Sequence, residues 1–177
     1  MLFEYVQQTP AVYDRKHETA YSHAQYLIAV CAVELFQPDA EKLLIDFINS
    51  SAYDNADKRM AHYHLGRYYF RQRKYKDAIE SLEKVEQSSL NIEERDEYKF
   101  LLAYCYFFKK DFDKAYNLFK SIKDKTNKYY YPANYYYGYL AFTKGNYNEA
   151  IKSFDRISDS KSYQKIIPYY KSQILFK

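Results

Sequence analysis

Leu65–Val85 reads LGRYYFRQRKYKDAIESLEKV, Leu102–Ile122 reads LAYCYFFKKDFDKAYNLFKSI, and Tyr137–Ile157 reads YGYLAFTKGNYNEAIKSFDRI. Laid over one another, these stretches decide the fold. Each has a small residue in second place (Gly66, Ala103, Gly138), then an aromatic nine residues on (Tyr75, Phe112, Tyr147) and an alanine three beyond it (Ala78, Ala115, Ala150). A bulky apolar residue follows four later (Leu82, Phe119, Phe154), and a β-branched one three after that (Val85, Ile122, Ile157). The alanines stand 37 and 35 residues apart, a period that belongs to stacked helix hairpins. The pattern has a packing reason. The small residue lies on the first helix of a hairpin and the alanine on the second, where two antiparallel backbones come to the lower end of the usual separation of about 8–10 Å. A leucine in either place would wedge the pair apart.

Weaker copies flank the clear ones. A helix over about 14–35 precedes Pro38-Asp39-Ala40-Glu41-Lys42-Leu43-Leu44, with Leu44 and Phe47 in the later apolar slots. Leu2-Phe3-Glu4-Tyr5-Val6 parallels Leu44-Ile45-Asp46-Phe47-Ile48, the tail of a second helix, and Tyr169–Phe176 parallels Tyr135–Phe142. The expected division is therefore 1–12 as the tail of a preceding repeat, 13–54 as a degenerate repeat, and 55–90, 91–126 and 127–160 as full repeats. Residues 161–177 open a further, truncated one. An array needs polar terminal caps, so two half-hairpin ends lead to the expectation of a segment from a longer solenoid. They also lead us to expect self-association through the uncovered C-terminal helix, where Tyr170, Ile174 and Leu175 would await a partner.

Composition agrees with helices. Among 177 residues, 47% are hydrophobic and 28% charged, while Gly (3) and Pro (4) are too scarce for an all-β or nucleotide-binding α/β fold. Tyr (24) and Phe (12) make the chain 20% aromatic, with no Trp. The net charge of +4 is spread along the chain, which gives nucleic-acid binding no support. No apolar run approaches the roughly 20 residues that span a bilayer. Cys31 and Cys105 sit in the apolar runs AVCAV and AYCYFF and read as buried, unbridged thiols. Local signals mark helix ends. Asn91-Ile92-Glu93-Glu94 is a capping-box pattern, and Lys144-Gly145-Asn146 is a left-handed stop.

These motifs resemble the tetratricopeptide repeat family, whose pattern runs Leu-Gly, Tyr, Ala, Phe and a closing Pro. The chain keeps Leu65-Gly66, Tyr69, Ala78, Phe119 and Phe154. It lacks the leading Trp, where Lys99 and Asn134 are expected to leave the face polar, and it lacks the closing Pro. The resemblance implies an all-α, right-handed solenoid that binds a protein or peptide in a concave groove lined by first helices. By the family's positional pattern the groove would hold Tyr63, Arg67, Phe70 and Arg71, then Phe100, Tyr104, Phe107 and Phe108. Tyr135, Tyr139 and Phe142 follow, and finally Tyr169, Gln173 and Phe176. Some of these rings would instead bridge neighbouring repeats as core. The Lys and Asn set with which chaperone-type members grip a C-terminal carboxylate is absent. The stretch from Pro132 to Ile157, with IIPYYKSQILF after it, resembles bacterial cell-envelope scaffolds, which implies a periplasmic setting. An intracellular regulator fused to a signalling or DNA-binding domain, or an enzyme's docking arm, are the alternatives.

Nothing in the chain points to catalysis, a metal or a cofactor. With only Gly66, Gly138 and Gly145 there is no phosphate loop or nucleophile elbow. His17-Glu18-Thr19-Ala20-Tyr21 lacks the second histidine of a zinc-protease motif. His62 and His64 point roughly 200° apart on a helix and cannot share an ion.

Overall fold

A computed structural model describes residues 15–50 and 56–176; the expected repeat tail at 1–12 lies outside them. The described residues form nine α-helices and no strand. They are α1 (Arg15–Glu34), α2 (Ala40–Asn49), α3 (Ala56–Arg71), α4 (Tyr75–Leu82), α5 (Ile92–Phe108), α6 (Phe112–Ile122), α7 (Tyr130–Thr143), α8 (Tyr147–Asp155) and α9 (Ile167–Leu175). A single 3-10 turn at Gln87–Ser89 precedes α5. Odd-numbered helices are first helices and even-numbered ones their antiparallel partners. Each hairpin packs on the next, and the first helices α1 and α3, α3 and α5, and α7 and α9 also touch.

The repeat residues sit where the packing argument requires. Ala78, Ala103, Ala115 and Ala150 are wholly buried. A Cβ added at Gly138 would lie 2.8 Å from Phe154 Cε1, and one at Gly66 would lie 2.6 Å from Leu82 Cγ and Cδ2. The glycines thus make room for the bulky side chain four residues beyond the alanine. Three successive cores result: one around Val33, Leu44 and Ala61, one around Leu102, Phe119 and Tyr137, and one around Phe154, Ile157 and Ile174.

The turns inside the hairpins share one backbone. Gly145 is left-handed at φ 78°, and so are Phe36 (55°), Arg73 (58°) and Lys110 (63°) at the equivalent places. In each, the next amide reaches back five residues: Gln37 to Ala32, Lys74 to Tyr69, Asp111 to Tyr106 and Asn146 to Ala141, at 2.8–2.9 Å. This is the Schellman closure of a helix C-terminus. At the other end of α5 the capping box forms. Asn91 Oδ1 accepts from the Glu94 amide, and the Asn91 amide donates to Glu94 Oε2, both at 2.9 Å.

Several expectations need correction. Cys105 is buried, but Cys31 is exposed. Both occupy the same repeat position, yet α5 has a hairpin on either side, whereas no other described helix covers the outer face of α1. Asn134 does not leave a polar face; it is fully buried. Its Nδ2 donates to Lys123 O (2.6 Å) and Tyr130 O (2.9 Å), tying the end of α6 to the start of α7. In the C-terminal helix, Tyr170 and Ile174 are not left open. Tyr170 stacks on Phe154 at 5.5 Å and Ile174 is buried, while Leu175 stays 81% exposed.

Candidate interaction groove

The surface made by α1, α3, α5, α7 and α9 divides into two halves of different chemistry. Over α1, α3 and the start of α5 it is charged and internally paired. Arg67 Nη1 donates to Glu34 Oε1 (2.7 Å) and Arg67 Nε to Glu97 Oε1 (2.9 Å). Arg71 Nη2 donates to Glu34 Oε2 (3.0 Å), and Lys128 Nζ to Glu97 Oε2 (3.1 Å). The result is a ladder of alternating sign, Glu34–Arg67–Glu97–Lys128, running across consecutive repeats.

The ladder shapes local protonation. Burial alone would raise the Glu97 carboxyl, but the hydrogen bond from Lys128 and the charge of Arg67 outweigh it and hold the group below the ordinary carboxylate range. Glu34 is held down in the same way by Arg71 and Arg67. His64, beneath the ladder, is pushed down to about 4 by burial and then by the Arg67 charge. Its neutral Nδ1 faces Arg67 Nη1 at 3.5 Å. Next to the ladder is an open cleft of about 720 Å³, lined by Tyr63, Arg67, Glu93, Glu97, Lys125 and Tyr129 among others.

The other half, from the end of α5 through α7 to α9, is aromatic, and none of the expected groove positions there carries a charge. Tyr104 packs edge-on to Phe70 of the preceding repeat (5.3 Å) and Tyr136 of the following one (5.3 Å). Phe107 meets Tyr139 (5.7 Å), Tyr139 meets Tyr170 (5.7 Å), and Tyr135 stacks on Tyr163 (4.7 Å). These centroid distances are those of favourable aromatic pairs. Phe108 stacks on Tyr75 at 4.9 Å yet remains 46% exposed.

The groove positions named from sequence therefore have different fates. Tyr63 (2% exposed) and Phe100 (8%) are core residues, and Phe100 lies stacked on Tyr129. Arg67 and Arg71 are held in the ladder. Phe70, Tyr104, Phe107, Tyr135, Tyr139 and Phe142 are half-buried bridges between repeats. Phe108, Tyr169, Gln173 and Phe176 are exposed. Sequence reading passed over the ladder itself. Of its contacts only Glu34–Arg71, 37 residues apart, falls on the repeat register; Arg67 stands 33 residues from Glu34 and 30 from Glu97, so superposing the repeats does not bring these charges together.

The model of the tetratricopeptide repeat family matches residues 38–92 and, overlapping, residues 63–130. This chain belongs to the tetratricopeptide repeat family. As a tetratricopeptide repeat protein it has the architecture of a protein-interaction scaffold. No curated protein sequence matches it. Among solved structures, a mutant of MamA superposes with a TM-score of 0.65 at 17% identity, over 89% of this chain and 88% of that one. MamA from AMB-1 gives 0.61 at 17% identity, over 89% and 87%. Kinesin light chain TPR-like repeats from Podosopora anserina give 0.57 at 16% identity, over 87% and 85%. At such identities the likeness carries the fold alone. Among the described residues no helix is long and apolar enough to cross a membrane. No group of three or more His, Cys, Asp or Glu among them is placed to hold a metal ion.

Proposed function

We propose that this chain is a non-catalytic scaffold that holds a protein or peptide partner along the aromatic half of its first-helix surface. One observation carries the reading: Phe108, Tyr169 and Phe176 keep 46%, 59% and 89% of their surface in water, beside half-buried rings that give the partner a rigid floor. A large exposed aromatic anchor on a packed base is what binding hot spots are made of. The charged half suits this role less, because a partner would have to displace ion pairs that Arg67 and Glu97 already satisfy. Repeat units at 13–54, 55–90, 91–126 and 127–160, with 161–177 opening another, belong to the same reading. So do an envelope setting, drawn from the family resemblance, and self-association through the α9 face around Leu175.

The test is a peptide-display selection on the whole chain, followed by affinity measurement of the best peptides. Phe108→Ser should weaken them at least about tenfold, which is about 1.4 kcal/mol. The melting temperature should fall by only a few degrees, since losing a half-buried ring stacked on Tyr75 costs about 1 kcal/mol. Selected peptides that bind the Phe108→Ser protein as tightly as the original overturn the aromatic-groove assignment.

A further inference from the structure

Each end of the helix stack carries an apolar face that no other helix covers among the described residues. On α1 the face is a stripe. Ala20, Ala24, Leu27, Cys31 and Leu35 fall within roughly 80° of one another at 3.6 residues per turn. All five are exposed, Leu27 to 47% and Leu35 to 68%. Tyr98, Leu101 and Cys105 stand 74 residues after Ala24, Leu27 and Cys31 and are buried, in a helix, α5, that packs on the preceding second helix α4. At the other end, α9 parallels α7 at an offset of 34, so Ser172 takes the small-residue place of Gly138 and Leu175 that of Ala141. Ala141 is wholly buried in one core with Ala150 and Phe154 of its own second helix, whereas Leu175 is 81% exposed. Beside Leu175 lies an open hollow of about 330 Å³, lined by Ile167, Pro168, Lys171 and Ser172 among others.

Apolar faces of this kind mark interaction surfaces. Both sit at positions that elsewhere in the stack receive a neighbouring helix, so each face can supply the neighbour that the other lacks. Charge selects among the ways two copies could meet. Residues 15–50, which hold α1 and α2, carry three basic and five acidic side chains, whereas residues 156–176 carry four basic and one acidic. Two α1 faces, or two α9 ends, would bring like charges together, while α1 against α9 brings unlike ones. Length allows it, because the stripe from Ala20 to Leu35 runs about 22 Å and α9 about 13 Å. We propose that a second copy of this chain lays its α1 stripe along α9 of the first, joining copies head to tail. Such a contact is heterologous: every joined pair still offers one α1 face and one α9 end, so growth continues into rings or filaments. The proposal rests on the self-association assigned above to the Leu175 face and names the surface that meets it.

Sedimentation velocity of the full chain over a range of concentrations is the test, with Leu27→Glu and Leu175→Glu as the variants. The original chain should grow beyond a dimer as concentration rises. Each variant alone should associate at least about tenfold more weakly, as for loss of an interface anchor. Mixed in equal amounts, the two should form a one-to-one pair and nothing larger, since each keeps the face that the other has lost. Ala24→Glu and Phe176→Glu, also at exposed positions, replace any variant whose helix content falls. If Leu175→Glu dissociates the chain while Leu27→Glu and Ala24→Glu do not, self-association through α9 stands and its pairing with α1 falls. A mixture that stays monomeric likewise overturns the head-to-tail joint. A chain that is monomeric at every concentration, or that loses association only through the α1 variants, overturns both.

Discussion

The two halves of the first-helix surface answer the same packing problem with different chemistry. Both must join one repeat to the next along a solvent-facing seam. The N-terminal half does so with charge: Arg67 lies between Glu34 and Glu97, whose second oxygens are taken by Arg71 and Lys128. The C-terminal half uses rings, with Phe107 against Tyr139 and Tyr139 against Tyr170. A satisfied ion pair has little left to offer a visitor, whereas a ring edge or face can take on further contacts. First-helix positions thus join the repeats by ion pairs at one end and by ring contacts at the other.

The largest expected effect is titration of the charged half. His64 has its folded value depressed to about 4 from an ordinary value near 6.5. The unfolded chain therefore binds the proton first, and stability contributed by neutral His64 is complete above about pH 6.5 and lost as the pH falls toward 4. The full loss is on the order of 3 kcal/mol. Glu34 and Glu97, both held low, continue the decline in the same direction once the pH passes below the unfolded carboxylate range. Chemical denaturation across pH 4–7 should show this slope, and His64→Gln should flatten its upper part. An unchanged slope in that variant would place the titration elsewhere.

Removing the central cation comes next. Arg67→Ala removes one of the two cations on Glu34 and one of the two on Glu97, which is only 17% exposed, and should destabilise by about 2 kcal/mol, less than for a fully buried pair. The same truncation at Arg71, bonded to Glu34 alone at 30% exposure, should cost under about 1 kcal/mol. Equal losses would mean that the ladder does not act as a unit.

In the aromatic half, shape should govern stability instead. Gly138→Leu drives a side chain into Phe154 and should cost about 2 kcal/mol by overpacking, independent of pH. Lys152→Ala, on the exposed side of α8, should cost under about 0.5 kcal/mol. If the two proteins melt alike, the helix interface has been misplaced.

The fold could be read in the sequence because close approach leaves a trace in residue size. Gly66, Ala103 and Gly138 with their alanine partners announce the hairpins without any coordinates. What could not be read depends on where an element sits in the stack. Cys31 and Cys105 share a repeat position and an apolar neighbourhood, yet only the structure shows that, among the described residues, α1 has a helix hairpin on one side where α5 has one on both. Asn134 looked like a surface residue because a polar side chain can be buried whenever backbone carbonyls receive it, and Lys123 and Tyr130 supply them from a distant and a near position. The candidate groove was legible as a list of first-helix positions. Which of those rings are core was not, because Phe100 and Phe108 are the same residue on one helix and differ only in place, by about 80° around its axis and about 12 Å along it. The left-handed turns were legible only at Gly145. Phe36, Arg73 and Lys110 hold the same conformation with side chains that offer no clue.

Those four turns bear on how little information the architecture needs. The conformation at Phe36, Arg73, Lys110 and Gly145 is enforced by main-chain hydrogen bonds that every amino acid except proline can supply. The letter written at that place is nearly free to drift, at a conformational cost of about 1–2 kcal/mol when it is not glycine. A message stored as a few size constraints per repeat, with the bends encoded in a part of the chain common to all residues, tolerates heavy overwriting. Such redundancy is how one shape can be shared by proteins whose sequences agree at only 16–17% of positions.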